Sequence, residues 1–378
     1  MFPRPEKGGI GLRMLWHNKR RLAASALGIA VAVVIVFVEA GFFFGVLESQ
    51  SNLATLIRGD LVVLHRTRTH LNKWSDFERI RVNQVSAIPG VAAVVPIYKG
   101  AMGLRNAETG QVKRIIVYAF APEAHPFDIG DRAAIAAQLR IGRTVLFDRR
   151  SRRIYGDPAV GEDVSLNRQP YRVGGFVDIG PNIINDGAVV MSAGEWLRQS
   201  RDDDPIMGIV RLREGADLEA VRARIAALTP GDVNALTPVE LGRREEAFTA
   251  AAAPIGIVFG IGLLAGLVVG GITCYQILFN EISDQIDQFA MLKAMGFSNG
   301  FLGRIVLEQT LLFALLGFAV AFAISYAAYG YIAFQTALVM LHAWPRILGV
   351  LGLTVAMCVV AGLVAIRRAA VKSPAELL

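Results

Sequence analysis

Four long apolar blocks divide this chain, and each of them is long enough to cross a membrane as a helix. A spanning helix needs about 20 mostly apolar residues to cross roughly 30 Å of hydrocarbon. The blocks lie at residues 22–47, 253–279, 305–334 and 347–366. This pattern predicts one spanning helix, a large domain of globular composition, and then three spanning helices in succession.

The stretch between the first two blocks mixes charges, turns and short β-branched runs. Strands are predicted at 60–64 and 114–118, and a hairpin turn at 106–110 with Gly110 free to adopt a positive φ. Helical spacing at 77–88 and again after residue 212 predicts two αβ units. We therefore expect an α+β domain, with a separable β-rich insert between about residues 124 and 193.

A polar break at residues 275–299 separates the second and third apolar blocks. One helical stripe in it is apolar and carries Ile282, Ile286, Phe289 and Met295, with Ala290 and Leu292 adjoining, while Glu281, Asp284, Asp287 and Lys293 mark the wet side. Gly296 is placed to end that helix, and Ser298 to cap the next one. The pattern predicts a rigid extension of the second spanning helix and then a tight elbow at the membrane surface.

Charge and composition fix the class and the orientation. The chain is 53% hydrophobic and 19% charged, too apolar for an ordinary soluble enzyme, and its net charge of +7 is concentrated beside the apolar blocks. Lys and Arg precede the first block and follow the fourth, which predicts cytoplasmic termini and a cytoplasmic break, with the large domain and the loop near residue 343 outside. The first block is too long for a cleaved signal peptide, so we expect an uncleaved anchor.

Residues that could carry chemistry are few. The histidines are not at metal-ligand spacing, no G-x-S-x-G elbow occurs in the predicted external domain, and the acidic run at 202–204 is expected to be a solvated loop. Both cysteines, Cys274 and Cys358, lie in apolar blocks, so no disulfide framework is predicted outside. The sequence predicts no catalytic residue, metal site or cofactor, and it argues against an enzyme and against a sensor with a cytoplasmic output domain.

Glu39 is the single acidic residue within the first apolar run, at a depth where a carboxyl group is costly. It should face another helix, a subunit interface or a wet cavity, and the alternative is that it lies near the outer interface. The second block carries glycines at small-xxx-small spacing, which favours close helix packing: Gly256, Gly260, Gly262, Gly266 and Gly270.

The predicted organisation has nine segments, whose bounds follow from the apolar blocks and their flanks. They are a cytoplasmic amphipathic segment 1–21, a first span 22–47, an extracytoplasmic α+β domain 48–252, a second span 253–279, a cytoplasmic coupling elbow 280–304, a third span 305–334, an external loop 335–346, a fourth span 347–366 and a cytoplasmic tail 367–378.

This topology, together with the run Leu-Lys-Ala-Met-Gly at 292–296, resembles the FtsX/MacB-type permeases of ABC transporters. The strings at 275–278, 282–284 and 292–299 are similar to the DevC branch, as are shorter ones at 41–42, 145–148 and 186–187. The family usually has Glu before this run, whereas this chain has Gln288, so one acidic contact is either missing or supplied by Asp287.

In the family this elbow docks on the ATPase subunit. The resemblance therefore implies docking through Gln288, Phe289, Ala290, Met291, Leu292, Lys293, Ala294, Met295 and Gly296. The sequence contains no phosphate-binding G-x-x-x-x-G-K-[ST] loop, so we expect ATP to be bound by a partner ATPase. The resemblance also implies a homodimer in the bacterial inner membrane, a periplasmic adaptor and a TolC-like outer-membrane channel.

The function implied by the resemblance is mechanotransmission. ATP hydrolysis in the partner would move the periplasmic domain and export a periplasmic or outer-leaflet substrate, a glycolipid by analogy with DevC. The alternatives are an FtsX-like regulator that activates a periplasmic cell-wall hydrolase, and a permease of the lipoprotein-release type.

The predicted topology can be tested by cysteine labelling of the full chain in intact cells. A cysteine at position 110 should react with an impermeant maleimide from outside, and a cysteine at position 285 only after the inner membrane is permeabilised. The opposite labelling would overturn the orientation.

Overall fold

The computed structural model describes residues 19–73, 77–182, 184–200, 203–229, 231–251, 254–336 and 342–371. Residues 1–18 of the predicted amphipathic segment, 372–378 of the predicted tail, 337–341 of the predicted external loop and Asp202 lie outside these ranges. The chain forms two compact units, with boundaries near Phe44 and Ile257.

The secondary structure of the described residues begins with a long helix, continues through a mixed α and β region and ends with helices. In chain order it comprises α1 Lys19–Thr55, β1 Leu61–His65, α2 Arg79–Ser86, β2 Val91–Arg105, β3 Val112–Phe120, α3 Arg132–Leu139, β4 Thr144–Asp148, a 3₁₀ turn Arg153–Tyr155, β5 Asp163–Leu166, β6 Gln169–Val177, β7 Ala188–Ser192, α4 Ala193–Gln199, β8 Met207–Leu212, α5 Leu218–Leu228, β9 Val233–Leu236, α6 Pro238–Ala251, α7 Pro254–Asp284, α8 Ile286–Ala294, α9 Asn299–Thr336 and α10 Trp344–Val371.

Four of these helices are long and apolar enough to cross a membrane, within the part of the chain that the structure describes. The candidate spans are Leu22–Thr55, Gly256–Asp284, Gly300–Ala333 and Trp344–Val364. They confirm the predicted class of a four-span membrane protein, with the globular domain between the first and second spans. Helix α1 runs on to Thr55, beyond the predicted end at residue 47.

All four helices contribute to one buried cluster, so the membrane unit packs as a bundle. Its buried side chains include Phe37 from α1, Cys274 from α7, Phe313 from α9 and Cys358 from α10. The Tyr329 hydroxyl of α9 donates a hydrogen bond to the backbone oxygen of Phe37. This bond links the third span to the first at a depth where an unpaired hydroxyl would be costly.

The globular unit contains a closed ring of six strands. Strand β2 pairs with both β3 and β5, and the ring continues through the pairs β3–β7, β7–β4, β4–β6 and β6–β5. Apolar side chains fill it, among them Tyr98, Leu104, Val117, Phe147 and Tyr171. Because the C-terminal half of β2 and all of β3 belong to this ring, the predicted separable insert at 124–193 is wrong: the β-rich part begins earlier.

The N-terminal half of β2 belongs to a second, antiparallel set of strands in the order β2, β8, β1, β9. Helices α2 and α5 contribute Val82, Val85, Val221 and Ile225 to the core packed against it. The two predicted αβ units are therefore confirmed. The predicted acidic loop has a structural role at Asp204, whose Oδ1 accepts a hydrogen bond from the backbone N–H of Arg79 at 3.0 Å, at the start of α2.

The hairpin predicted at 106–110 is confirmed between β2 and β3. Gly110 has a φ of +70°, which is open to glycine at little cost. The Asn106 side chain is buried, and its Oδ1 accepts hydrogen bonds from the backbone N–H groups of Glu108 and Thr109 at 2.8 and 3.0 Å. Asn106 therefore stabilises the turn that Gly110 makes possible.

Candidate functional site

The polar break contains a short separate helix. Helix α7 ends at Asp284, and Gln285, with φ of −100° and ψ of 7°, separates it from α8. The N–H of Gln285 donates to the Ile282 carbonyl at 3.1 Å, in a tight 3₁₀-type bond. The second span therefore extends beyond residue 279 as predicted, but the extension is interrupted at this one residue and continues as α8.

The Gln285 side chain belongs to a buried chain of hydrogen bonds that crosses the break. Its Nε2 donates to Glu281 Oε1 at 3.0 Å, and its Oε1 accepts from Gln309 Nε2 at 2.9 Å. Ser25 Oγ donates to Glu281 Oε2 at 3.3 Å. This polar network, defined by Ser25, Glu281, Gln285 and Gln309, joins α1, the end of α7 and α9.

Glu281 was predicted on the wet side of the helix, and that prediction is wrong. Its side chain is only 5% exposed, and Gln309 is 2% exposed. A buried carboxyl group is tolerated where other polar groups satisfy it, and here Ser25 and Gln285 donate to its two oxygens. The residue type alone predicted a solvent-exposed position for Glu281, because its partner Ser25 lies far away along the chain.

Helix α8 is held by its inner face. Phe289 packs against the cluster of Ile282 and Val306, while Ile286 and Leu292 are half-buried beside it. The burial of these side chains agrees with the predicted apolar stripe at Ile282, Ile286 and Phe289 and with the adjoining Leu292. Phe289 is the side chain that ties the short helix to α7 and α9.

The outer face of α8 is also apolar, but its side chains are exposed. None of the nine residues of this described helix is buried, and the Met291 and Met295 side chains are 64% and 61% exposed. Ala290 and Ala294, each of which directly precedes one of these methionines, are also exposed. Met295 was predicted on the inner stripe; it follows the last helical residue and leaves that stripe, so the prediction is wrong at this position. We call Ala290, Met291, Ala294 and Met295 the methionine face.

The elbow after α8 is formed by local backbone geometry. Gly296 has a φ of +91°, its N–H donates to the Lys293 carbonyl at 3.0 Å, and the Phe297 N–H donates to the Leu292 carbonyl at 3.2 Å. This is the pattern of a Schellman helix end. Ser298 Oγ accepts from the Phe301 N–H at 3.3 Å at the start of α9. The predicted helix end at Gly296 and cap at Ser298 are confirmed.

Glu39, the candidate inside the membrane, is half-buried in α1 against the glycines of α7. A Cβ atom placed on Gly262 would lie 2.6 Å from Glu39 Oε2, and one on Gly266 would lie 3.5 Å from its Cγ. The two glycines therefore leave the room that this side chain occupies. The carboxyl group faces a neighbouring helix, as the cost of exposing it to lipid requires.

Sequence reasoning missed Ser25 and Gln309 as members of the site. Gln309 stands inside the third apolar block, and a long amide side chain at such a position signals a buried partner. Among the described residues, no group of three or more His, Cys, Asp or Glu side chains is placed to hold a metal ion.

Models of known protein families match both the globular part and the C-terminal helical part of the chain. Residues 22–228 match the MacB-like periplasmic core domain, and residues 260–374 match the FtsX-like permease C-terminal region. No curated protein matches the chain. Two solved structures resemble it: the periplasmic region of MacB from Actinobacillus actinomycetemcomitans (10% identity, TM-score 0.38, 52% of this chain and 96% of that chain) and the extracellular domain of the ABC-type transporter YknZ from Gram-positive bacteria (13% identity, TM-score 0.34, 47% and 99%).

The polar network predicts a stability effect at Gln309. Gln309→Leu removes the donor to Gln285 Oε1 and leaves that buried oxygen without this bond, at an expected cost of about 1–3 kcal/mol in the free energy of unfolding. Gln276→Leu is the matched control, since it makes the same change at an exposed position of α7. Denaturant unfolding of the full chain in detergent measures both. Equal midpoints for Gln309→Leu and the wild type would contradict the role of the network.

The same network makes Gln285 a poor labelling position, because its side chain is only 7% exposed. Asp287, which is exposed on α8, is the better site for the topology experiment on this break.

Proposed function

The chain belongs to the FtsX/MacB-like permeases of ABC transporters, and from this membership we propose that it is the membrane subunit of an exporter driven by a separate ATPase subunit. The family implies the ATPase partner, and the four apolar helices make the chain a multi-pass membrane protein. The proposal concerns where the ATPase docks, how the force is transmitted and what is moved.

The methionine face is the observation that carries the docking proposal. Met291 and Met295 stand exposed on a short helix whose opposite side is packed against the bundle. Flexible, polarizable methionine side chains suit a surface that has to pack against a partner. Asp287, Gln288 and Lys293 are exposed around them and supply a polar rim. We assign the residues from Gln288 to Gly296 to contact with the ATPase subunit.

Force would pass from α8 into the bundle by two routes. At one end, Gln285 connects α8 to the polar network and so to α1, α7 and α9. At the other end, the turn at Gly296 leads directly into α9. A closing motion of the ATPase subunits would move α8 and, through these connections, the helices that carry the external domain. In this mechanism the substrate does not pass between the membrane helices.

The remaining parts of the proposal rest on the family and on the charge pattern. The chain would act as a homodimer in the bacterial inner membrane, with both termini and α8 in the cytoplasm. A periplasmic adaptor and a TolC-like channel would complete the path for a periplasmic or outer-leaflet substrate, a glycolipid by analogy with the DevC branch. The rival function is an FtsX-like regulator of a cell-wall hydrolase, and a lipoprotein-release permease is a further one.

Charging the methionine face should abolish association with the ATPase subunit. Met291→Glu and Met295→Glu place a carboxylate in a surface that must become desolvated on docking, so co-purification with the ATPase should fall by at least tenfold. Val112→Glu is the matched control, because Val112 is also 64% exposed but lies at the external hairpin. Undiminished association of both methionine variants would refute docking through this face.

The proteins recovered with the wild-type complex separate the rival functions. An adaptor and an outer-membrane channel would support export, whereas a hydrolase without them would support the FtsX-like role. Genes adjacent to this one that encode those partners would give the same answer independently.

Replacing Glu39 should lower the rate of ATP hydrolysis by the complex without preventing its assembly. Glu39→Leu removes the carboxyl group that lies against Gly262, and we expect ATP hydrolysis by the assembled complex in nanodiscs to fall about fivefold or more if this group takes part in the motion. Glu39→Gln keeps the size and the hydrogen-bonding ability of the side chain and separates the role of charge from that of packing. Wild-type hydrolysis in Glu39→Leu would make Glu39 a structural residue only.

A further inference from the structure

The globular unit contains a cavity whose charged lining residues are all basic. The cavity has a volume of about 200 Å³ and lies beside strands β2 and β3 and the segment after β1. Its lining includes Arg68, Lys73, Lys99 and Arg114, and no acidic residue is among the described side chains that line it. Because these four charged groups are all positive, an anion in the cavity would reduce their mutual repulsion.

The fold brings these cations together from separate elements. Lys99 and Arg114 lie on the same face of the β2–β3 ladder, because Lys99 pairs with Tyr118 and Gly103 pairs with Arg114, and side chains alternate along a strand. Arg68 is only 2% exposed, and its Nη1 donates to the Leu71 carbonyl at 3.3 Å. The arrangement is thus built into the strands and into a buried guanidinium.

Amide side chains fix the Lys99 ammonium in the cavity. Lys99 Nζ donates to Asn72 Oδ1 at 2.6 Å and to the Leu71 carbonyl at 3.4 Å. Asn185 Nδ2 donates to the same Asn72 oxygen at 3.2 Å. These bonds use neutral acceptors, so they orient the ammonium group without neutralising it.

The pKa of Lys99 also shows the effect of the neighbouring positive charges. Burial, and after it the Arg68 guanidinium, lowers the pKa of Lys99 to about 8, with Arg114 adding to this and Glu245 opposing it. Glu245 contacts the same segment, because its Oε1 accepts a hydrogen bond from the Leu71 N–H at 2.8 Å. Burial raises the pKa of Glu245 to about 7. Among the described residues that act on Lys99, Glu245 is acidic and Arg68 and Arg114 are basic, and a further negative charge beside Lys99 would stabilise its charged form.

We propose that this cavity, lined by Arg68, Lys99 and Arg114, binds a phosphoryl group of a ligand that reaches the globular unit. Guanidinium and ammonium groups such as those that line the cavity are charged donors suited to the oxygens of a phosphoryl group. The volume is below the roughly 300–1,000 Å³ of pockets for whole drug-sized ligands, so it fits a headgroup or a free phosphate rather than an acyl chain. The proposal does not depend on where the ATPase docks.

Affinity for the anion should depend on pH in one direction. An anion favours the protonated, charged form of Lys99 and the protonated, neutral form of Glu245. Binding should therefore weaken as pH rises past about 7 and further past about 8. Among the described residues, other titratable groups near the cavity are His70, Lys73, Tyr118 and Arg244. Sulfate is the probe for this series, because its own charge is constant over the range.

The direct test is calorimetric titration of the full chain in phosphatidylcholine nanodiscs. Inorganic phosphate, glycerol phosphate and short-chain phosphatidylglycerol are added in separate arms at constant ionic strength. Arg114→Gln and Lys99→Met should each weaken phosphate binding by about tenfold or more, because each removes one charged donor. Lys113→Gln is the matched control: it removes the neighbouring, exposed cation on β3 and should bind as the wild type does.

The arms distinguish the possible sources of the phosphoryl group. Binding of phosphatidylglycerol in addition to the small probes would support a lipid headgroup, and binding of the small probes alone would support a soluble phosphate ligand. Absence of binding in all arms would overturn the proposal, as would binding that Arg114→Gln leaves unchanged. Because Arg114 is exposed, that variant should fold even if Lys99→Met does not.

Discussion

The bundle depends on one constraint: a polar group buried among apolar helices must find a polar partner. Glu281, Gln285 and Gln309 are each less than a tenth exposed, and each meets another member of the network. Gln285 lies between α7 and α8, and its side chain is bonded both to Glu281 in the helix before it and to Gln309 in α9. An apolar residue at 285 would remove this connection to the third span.

The same constraint explains why the prediction of the break succeeded at one end and failed at the other. Gly296 and Ser298 act through bonds to residues within five positions, so their roles can be deduced from local sequence. The environment of Glu281 depends on tertiary structure, because its partner Ser25 lies far away along the chain. Met295 is exposed because the helix has already ended. A helical stripe drawn straight through Gln285 does not include the one-residue interruption between α7 and α8.

The globular unit gives a second example of the same limit. The runs that form β2 and β3, the hairpin between them and the two αβ units follow from residue patterns of a few positions. The extent of the six-stranded ring does not, because β2 is long enough to pair with β8 in its first half and with β3 in its second. A strand shared in this way belongs to both sets of strands, so the ring is continuous with the rest of the unit rather than a separable insert.

The polar network stabilises the bundle, whereas the methionine face contributes little to its stability. This difference bears on function. Every member of the network is hydrogen-bonded within the chain, so the network is explained by folding alone. Met291 and Met295 are more than half exposed and contribute little to the packing of the bundle. Exposed methionines on a helix anchored by Phe289 are better explained by a partner than by the fold. In the proposed mechanism, the anchored inner face would transmit the motion of that partner to the bundle.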